Sequence, residues 1–166
     1  MDIRQLVPED AEAYLSIRLE ALRESPHAFG SSYEEEKQTT VEKYRQRFTE
    51  PENSFTLGAF EQSELVGVVS LVRKRYLKQR HRATILAMYV KPEKRGTGLG
   101  NKLLLSAIEK AISLNNIEQI NLSVIAQNES AKQLYQSLGF EVFGIEKNGI
   151  KVNDTYFDEE HMVLFL

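Results

Sequence analysis

The chain has 166 residues, 42% of them apolar and 27% charged, with a formal net charge of −3 and no cysteine. That length makes one domain (1–166) with room for a real core. The mild acidity excludes a general attraction to nucleic acid or acidic membranes, so any anion site must be local. Without cysteine there is no disulfide framework, thiolate zinc site or cysteine nucleophile, which fits a reducing compartment. The opening MDIRQLVPED lacks the apolar core of a signal peptide, and no apolar run approaches the roughly 18 residues of a membrane span. A cytoplasmic protein is expected.

In chain order, DIRQLV (2–7) alternates and is predicted as a strand. Pro8, Glu9 and Asp10 suit the first turn of a helix over 9–24. Ala11, Leu15, Arg18 and Leu22 share one face of that helix, flanked by Tyr14 and Leu19. Pro, Gly and Ser make 25–36 a loop. Thr39 and Glu42 have capping-box spacing before a second helix over 40–49. Residues 54–61 and 65–74 form a hairpin, RYLKQRH continues it as an exposed turn, and ATILAMYV (83–90) is the next strand. A glycine-rich turn then leads into a helix reaching residue 114, with Leu99, Leu103, Ala107 and Ala111 in register. EQINLSVI (118–125) is a strand, and 128–138 is a short helix with Asn128 as N-cap and Gly139 at its end. The last two strands flank Asn148-Gly149, a strong hairpin signal. The order β-α-α-β-β-β-α-β-α-β-β combines antiparallel hairpins with helical crossovers that favour parallel neighbours. It describes a mixed sheet with helices packed on it.

The turn KPEKRGTGLG (91–100) raises the functional question. A dinucleotide fingerprint counted from Gly96 and Gly98 needs glycine at 101, which is Asn101, and a P-loop fails in every register. The physics survives without those labels. Three glycines open the backbone, and the free N–H groups of the following helix favour an anion. Lys91, Lys94, Arg95 and Lys102 add positive charge. A tight strand-to-helix turn with solvated charges is the bland alternative.

Arg95-Gly96-Thr97-Gly98-Leu99-Gly100 matches [RQ]-x-x-G-x-[GA], and NESAKQLYQSLGF (128–140) matches N-x-x-[AS]-x-x-[LF]-Y-x-x-x-G-F. With one strand between them, the two motifs resemble the GNAT superfamily of acyl-CoA-dependent N-acetyltransferases, across essentially the whole chain. The implied fold is α/β in the broad sense (α+β), a mixed, mostly antiparallel sheet of about seven strands with four helices. The implied donor is acetyl-CoA, and no metal is expected. The resemblance assigns the pantetheine arm to the backbone of Met88, Tyr89 and Val90, and the pyrophosphate to Arg95, Gly96, Thr97, Gly98, Leu99, Gly100 and Asn101. Asn128 serves the pantetheine as well as capping its helix. Tyr135, on the same face as Asn128 and nearly two turns on, becomes the acid for the departing thiolate; a core tyrosine is its plainer role.

The resemblance implies direct attack by a primary amine on the thioester. The acceptor side falls on the loop carrying Tyr33, Glu34, Glu35 and Glu36, and on Asp158, Glu159 and His161 of the last strand. These acids favour a small cationic amine, with a protein N-terminus or lysine as the alternative; solvated surface charge explains them equally well. No residue matches a fixed base. A homodimer paired through the C-terminal strands is compatible with the MVLFL tail. Two rivals stand beside the enzyme: a non-catalytic coenzyme A-binding module, and a nucleic-acid-binding domain using the basic segment 73–82. The acidic total argues against the latter, so no nucleic-acid or membrane partner is expected.

Overall fold

The structure, a computed structural model, describes residues 1–49 and 54–166. Seven strands form one sheet in the order β1-β2-β3-β4-β5-β7-β6. They are β1 (Asp2–Gln5), β2 (Ser54–Glu61), β3 (Glu64–Arg73), β4 (Arg82–Val90), β5 (Gln119–Ile125), β6 (Glu141–Val152) and β7 (Thr155–Phe165). Every neighbouring pair is antiparallel except β4 and β5. The helices are α1 (Ala11–Glu24), α2 (Tyr33–Glu36), α3 (Val41–Thr49), α4 (Leu99–Ser113) and α5 (Glu129–Ser137). No described helix is long and apolar enough to cross a membrane.

Both faces of the sheet are covered. Leu99, Leu103, Leu104, Ala107 and Ala111 of α4 pack with Val66, Val69 and Leu71 of β3 in one cluster. Tyr14, Ile17 and Ala21 of α1 pack with Tyr44 and Phe48 of α3 and Val68 of β3 in the other. That double burial is why LVGVVSLV reads as a continuous apolar run and not as an alternation. The buried residues of α1 are Ala11, Tyr14, Ile17, Ala21 and Leu22: Ala11 and Leu22 of the predicted face are buried and Leu15 and Arg18 only partly so, the stripe being turned toward Tyr14, against which Tyr44 and Phe48 pack edge-on. Arg18 therefore lies at the margin of the stripe and not within it.

Three further expectations change. The loop 25–36 contains a fifth helix, α2, closed by a capping box in which Ser32 and Glu35 satisfy each other's backbone N–H. The predicted capping box is out of register with α3, which begins at Val41, one residue later than Thr39 and Glu42 require. The last hairpin turns at Asn153-Asp154 and not at Asn148-Gly149, since Val152 pairs with Thr155. Asn148 instead sits in a bulge at φ 55°, and Asp158 pins it by accepting from the Asn148 N–H and the Lys147 ammonium, each at 2.9 Å.

The parallel pair is the element that makes a site. β4 and β5 are in register only at Arg82–Thr84 and Gln119–Asn121. Beyond that, a bulge at Ala87 (φ 52°) turns β4, and each strand stays with its outer neighbour. Lys91 N–H donates to the Val66 carbonyl on one side, and Ala126 N–H donates to the Asp158 carbonyl on the other. The sheet splits between β4 and β5 because each half is held from outside.

Candidate functional site

A cleft of about 650 Å³ occupies the split. It is lined by Met88, Tyr89 and Val90, by Arg95, Gly96 and Gly98 through Asn101, and by Asn128 and Tyr135. Every residue that the sequence assigned to the donor side is there except Thr97, whose hydroxyl is turned back to the Lys94 carbonyl at 2.7 Å.

The turn presents open backbone to the cleft more than it presents cations. Gly96 and Gly98 hold φ +74° and +81°, and a Cβ at either would meet nothing within 4 Å. Both are open on the side where a ligand would approach, and both have dihedrals that L side chains avoid. Gly100 differs: a Cβ there would lie 3.3 Å from Leu134 Cδ2, so this glycine serves the packing of α4 on α5. Gly98 is the N-cap of α4 and brings no side chain to it. Lys102 N–H, donating to the Gly98 carbonyl at 3.1 Å, closes the first helical turn. The N–H groups before it are the free donors of a helix start. Lys94 pairs with Glu61, and Lys91 sits 2.5 Å from Glu64 and 3.6 Å from Glu20, so those two cations serve the β2–β3 hairpin and α1. Arg95 donates Nε–H to the Val90 carbonyl at 2.9 Å, which ties the turn to the end of β4.

Along the split, Tyr89 turns its side chain away from the cleft to the other face, where its hydroxyl donates to Glu20 at 3.0 Å. Burial first, and then Glu20, push its pKa far up. What Tyr89 offers the cleft is backbone. Asn128 caps α5 by accepting from the Ala131 N–H at 3.2 Å, which leaves its amide N–H groups for a ligand. Tyr135 is 8% exposed and packs edge-on against Phe140. Burial pushes its phenol up to about 12, so it stays protonated through the neutral range.

A second cleft of about 340 Å³ adjoins the first on the side of α1 and α3. Ala28, Phe29, Met88, Ser123 and Tyr135 line both, so the two clefts adjoin along these residues. Of the residues expected on the acceptor side, Glu36 and Glu159 line this second cleft, whereas Tyr33, Glu34, Glu35, Asp158 and His161 line neither. One helical turn sends three consecutive glutamates three ways. Glu34 pairs with Lys37, Glu35 caps Ser32, and Glu36 points inward to accept from the Tyr44 hydroxyl. Tyr33 lies between the cations of Arg23 and Lys37.

Ser123 was missed by the sequence reading. Its hydroxyl is 2.8 Å from His161 Nδ1, and His161 Nε2 is 3.1 Å from Glu146. A carboxylate on Nε2 fixes the proton there and leaves the Nδ1 lone pair facing Ser123. Alternation along β5 placed Ser123 on a strand face but gave no sign of the histidine that β7 pairs opposite it. His27, stacked on Phe157 at 5.0 Å, closes the outer wall of the donor cleft and was also unforeseen. The basic segment 73–82 contributes to neither cleft, and Arg73 and Arg80 bond backbone carbonyls within that segment. Among the described residues no cluster of His, Asp and Glu could hold a metal ion.

A split mixed sheet, an uncapped glycine turn at the split and a tyrosine that lines both clefts together form the candidate site. The family model described as "Acetyltransferase (GNAT) domain" matches residues 3–161, and the chain belongs to this acetyltransferase family. A spermidine N(1)-acetyltransferase of Vibrio cholerae is 28% identical over 103 residues, 62% of this chain but only 58% of that protein. Another, from Thermoplasma acidophilum, is 29% identical over 165 residues, 93% of this chain and 91% of that one. Among solved structures, a putative acetyltransferase of Salmonella typhimurium with its cofactor acetyl-CoA superposes at TM-score 0.87 and 22% identity, covering 100% of this chain and 94% of that one.

Proposed function

We propose that this chain is an acetyl-CoA-dependent N-acetyltransferase that delivers acetyl to a primary amine by direct attack. The observation that carries it is that Tyr135 and Ser123 line both of the adjoining clefts. The larger cleft suits a long ligand with phosphates at one end. It has open Gly96 and Gly98, free N–H groups at the start of α4, and an unladdered backbone edge along Met88 to Val90. Bound there, acetyl-CoA supplies an activated acyl group. The donor's presence in the Salmonella structure and the relatives' names support this assignment.

Each proton has a route among this chain's residues. The attacking amine loses one to Ser123 Oγ, which passes its own to His161 Nδ1, and Glu146 stabilises the imidazolium. The C–N bond forms, the C–S bond breaks, and Tyr135 donates its phenolic proton to the sulfur. Backbone N–H groups at Met88 to Val90 stabilise charge developing on the carbonyl oxygen. The test is release of coenzyme A with a panel of amines, beside calorimetric titration of acetyl-CoA. Binding without turnover on any amine identifies a silent coenzyme A module; no binding refutes both readings. His161→Gln should lower kcat by about 10²–10⁴-fold and leave the affinity for acetyl-CoA unchanged. An unaltered kcat removes His161 from the proton route.

For a homodimer, Met162 and Val163 of the tail are buried in the core, and the exposed apolar side chains at this end are Phe165 and Leu166 of the tail and Val142, Phe143 and Ile145 of the edge strand β6. Sedimentation of the wild type against Phe143→Glu tests it.

A further inference from the structure

The acceptor cleft holds a cation that nothing in the protein uses fully. Arg18, on the margin of the α1 stripe, donates Nη2–H to Ser31 at 2.7 Å and lies with its guanidinium 4.8 Å over the Phe29 ring. Its Nη1 is buried and, among the described residues, bonds to nothing. A buried N–H without an acceptor is costly, and buried polar groups left so call for an explanation. The packing around Arg18 is organised to hold the guanidinium in one orientation, yet its Nη1 is left over. Phe29 and Ser31, which wall it in, belong to the segment between α1 and α2, so the cover is a loop and not a helix or strand.

The charge of the cleft points the same way. Arg18, Lys43 and Arg47 line it against Glu36 and Glu159. Glu36 is already engaged by the Tyr44 hydroxyl, with the Lys43 ammonium 3.8 Å away. The Glu159 carboxylate lies beside the β6 bulge, where a Cβ on Gly149 would be 2.8 Å from its Oε2. Glu36 is committed to the protein, the Glu159 carboxylate has no ion-pair or hydrogen-bond partner among the described residues, and three cations stand against these two acids. A polyamine, positive along its whole length, would meet those three cations with Glu159 alone to answer it.

We propose that Arg18 is the anion subsite of the acceptor cleft, and that the acceptor is a small amine carrying a carboxylate, of the amino-acid class. Resting on the transferase reading, this names its substrate. The amine end lies at Ser123 and Tyr135, which line both clefts, and the carboxylate end lies at Arg18, which lines the acceptor cleft alone. A guanidinium with its Nη1 unpaired can give a carboxylate oxygen a charge-assisted hydrogen bond. Arg18 then sets specificity without touching the reacting atoms.

Matched acceptors test it: lysine against cadaverine, amino acids against their amides, with spermidine as a further arm. Coenzyme A release should give kcat/KM at least about tenfold higher for each acid than for its uncharged or decarboxylated partner. Arg18→Gln should erase that ratio by raising KM for the acids, with kcat for the amides and the affinity for acetyl-CoA unchanged. Arg18→Lys should restore part of the ratio, because it keeps the charge and loses the fork. A wild-type enzyme that uses amides, cadaverine or spermidine as well as the acids overturns the subsite, whether or not the variants fold. Failure to bind acetyl-CoA overturns the transferase reading instead.

Discussion

Tyr135→Phe separates chemistry from binding and from folding. The ring is 8% exposed and packs edge-on against Phe140 at 6.0 Å, contacts that phenylalanine keeps. Burial alone sets the pKa of the hydroxyl, so its loss should move stability by no more than about 0.5 kcal/mol near neutral pH. The rate is another matter. An acid placed at the leaving sulfur contributes about 10²–10⁴-fold, equal to about 3–5 kcal/mol of barrier. Coenzyme A release should fall by that factor while calorimetry gives an unchanged dissociation constant for acetyl-CoA. The same hydroxyl has a signature in folding. Its pKa is raised from 10.0 to about 12 by burial. The raised value means that the folded state holds the proton more tightly than the unfolded one. Its contribution is therefore whole below pH 10 and is lost as pH rises towards 12, by about 3 kcal/mol across two units. Wild type should lose that much more stability than Tyr135→Phe between pH 10 and pH 12. A rate within about threefold of wild type on good acceptors would refute the acid role; parallel alkaline melts would refute the burial.

Gly98→Val should weaken acetyl-CoA at least about tenfold. Its Cβ enters open space in the cleft, and φ +81° costs a β-branched residue about 1–2 kcal/mol or more. Gly100→Ala, whose Cβ meets side-chain ends of Leu134, Met88 and Val90 at 3.3–4.0 Å, should bind nearly normally, and equal affinities in both variants would contradict the cradle. In the core, Thr56 and Ser70, 1% and 0% exposed, share a hydrogen bond of 2.7 Å. Thr56→Val leaves Ser70 unpaired and should cost about 1–3 kcal/mol in urea melts, with Thr56→Val/Ser70→Ala less destabilised than the sum of the single changes. Strict additivity would mean that the pair contributes no coupling.

The donor side was legible because local sequence specifies it. A glycine at positive φ, a helix start and an N-cap are properties of a few adjacent residues, and Gly98, Leu99 and Asn128 carry their own geometry. The acceptor side was not legible, because its residues meet across the sheet. Glu34, Glu35 and Glu36 are equivalent in the sequence, and only a single turn of helix, fixed by Ser32 and Glu35, decides that Glu36 faces the cleft. Ser123, His161 and Glu146 lie on three strands and meet through the register of β5 on β7 and of β6 on β7. Arg18 gains its meaning from α1 packing on Tyr44 and Phe48, which a helical pattern predicts only to within a rotation of the face.

Periodicity and turn chemistry in the sequence by itself were enough for the seven strands, four of the five helices and a glycine turn between a strand and a helix, because each follows from φ, ψ and side-chain spacing over a few residues. The tertiary structure decided where the sheet splits, which glutamate is buried, and where a serine meets a histidine. Those depend on strand register and on what each strand leans against, and such contacts join residues far apart in the chain.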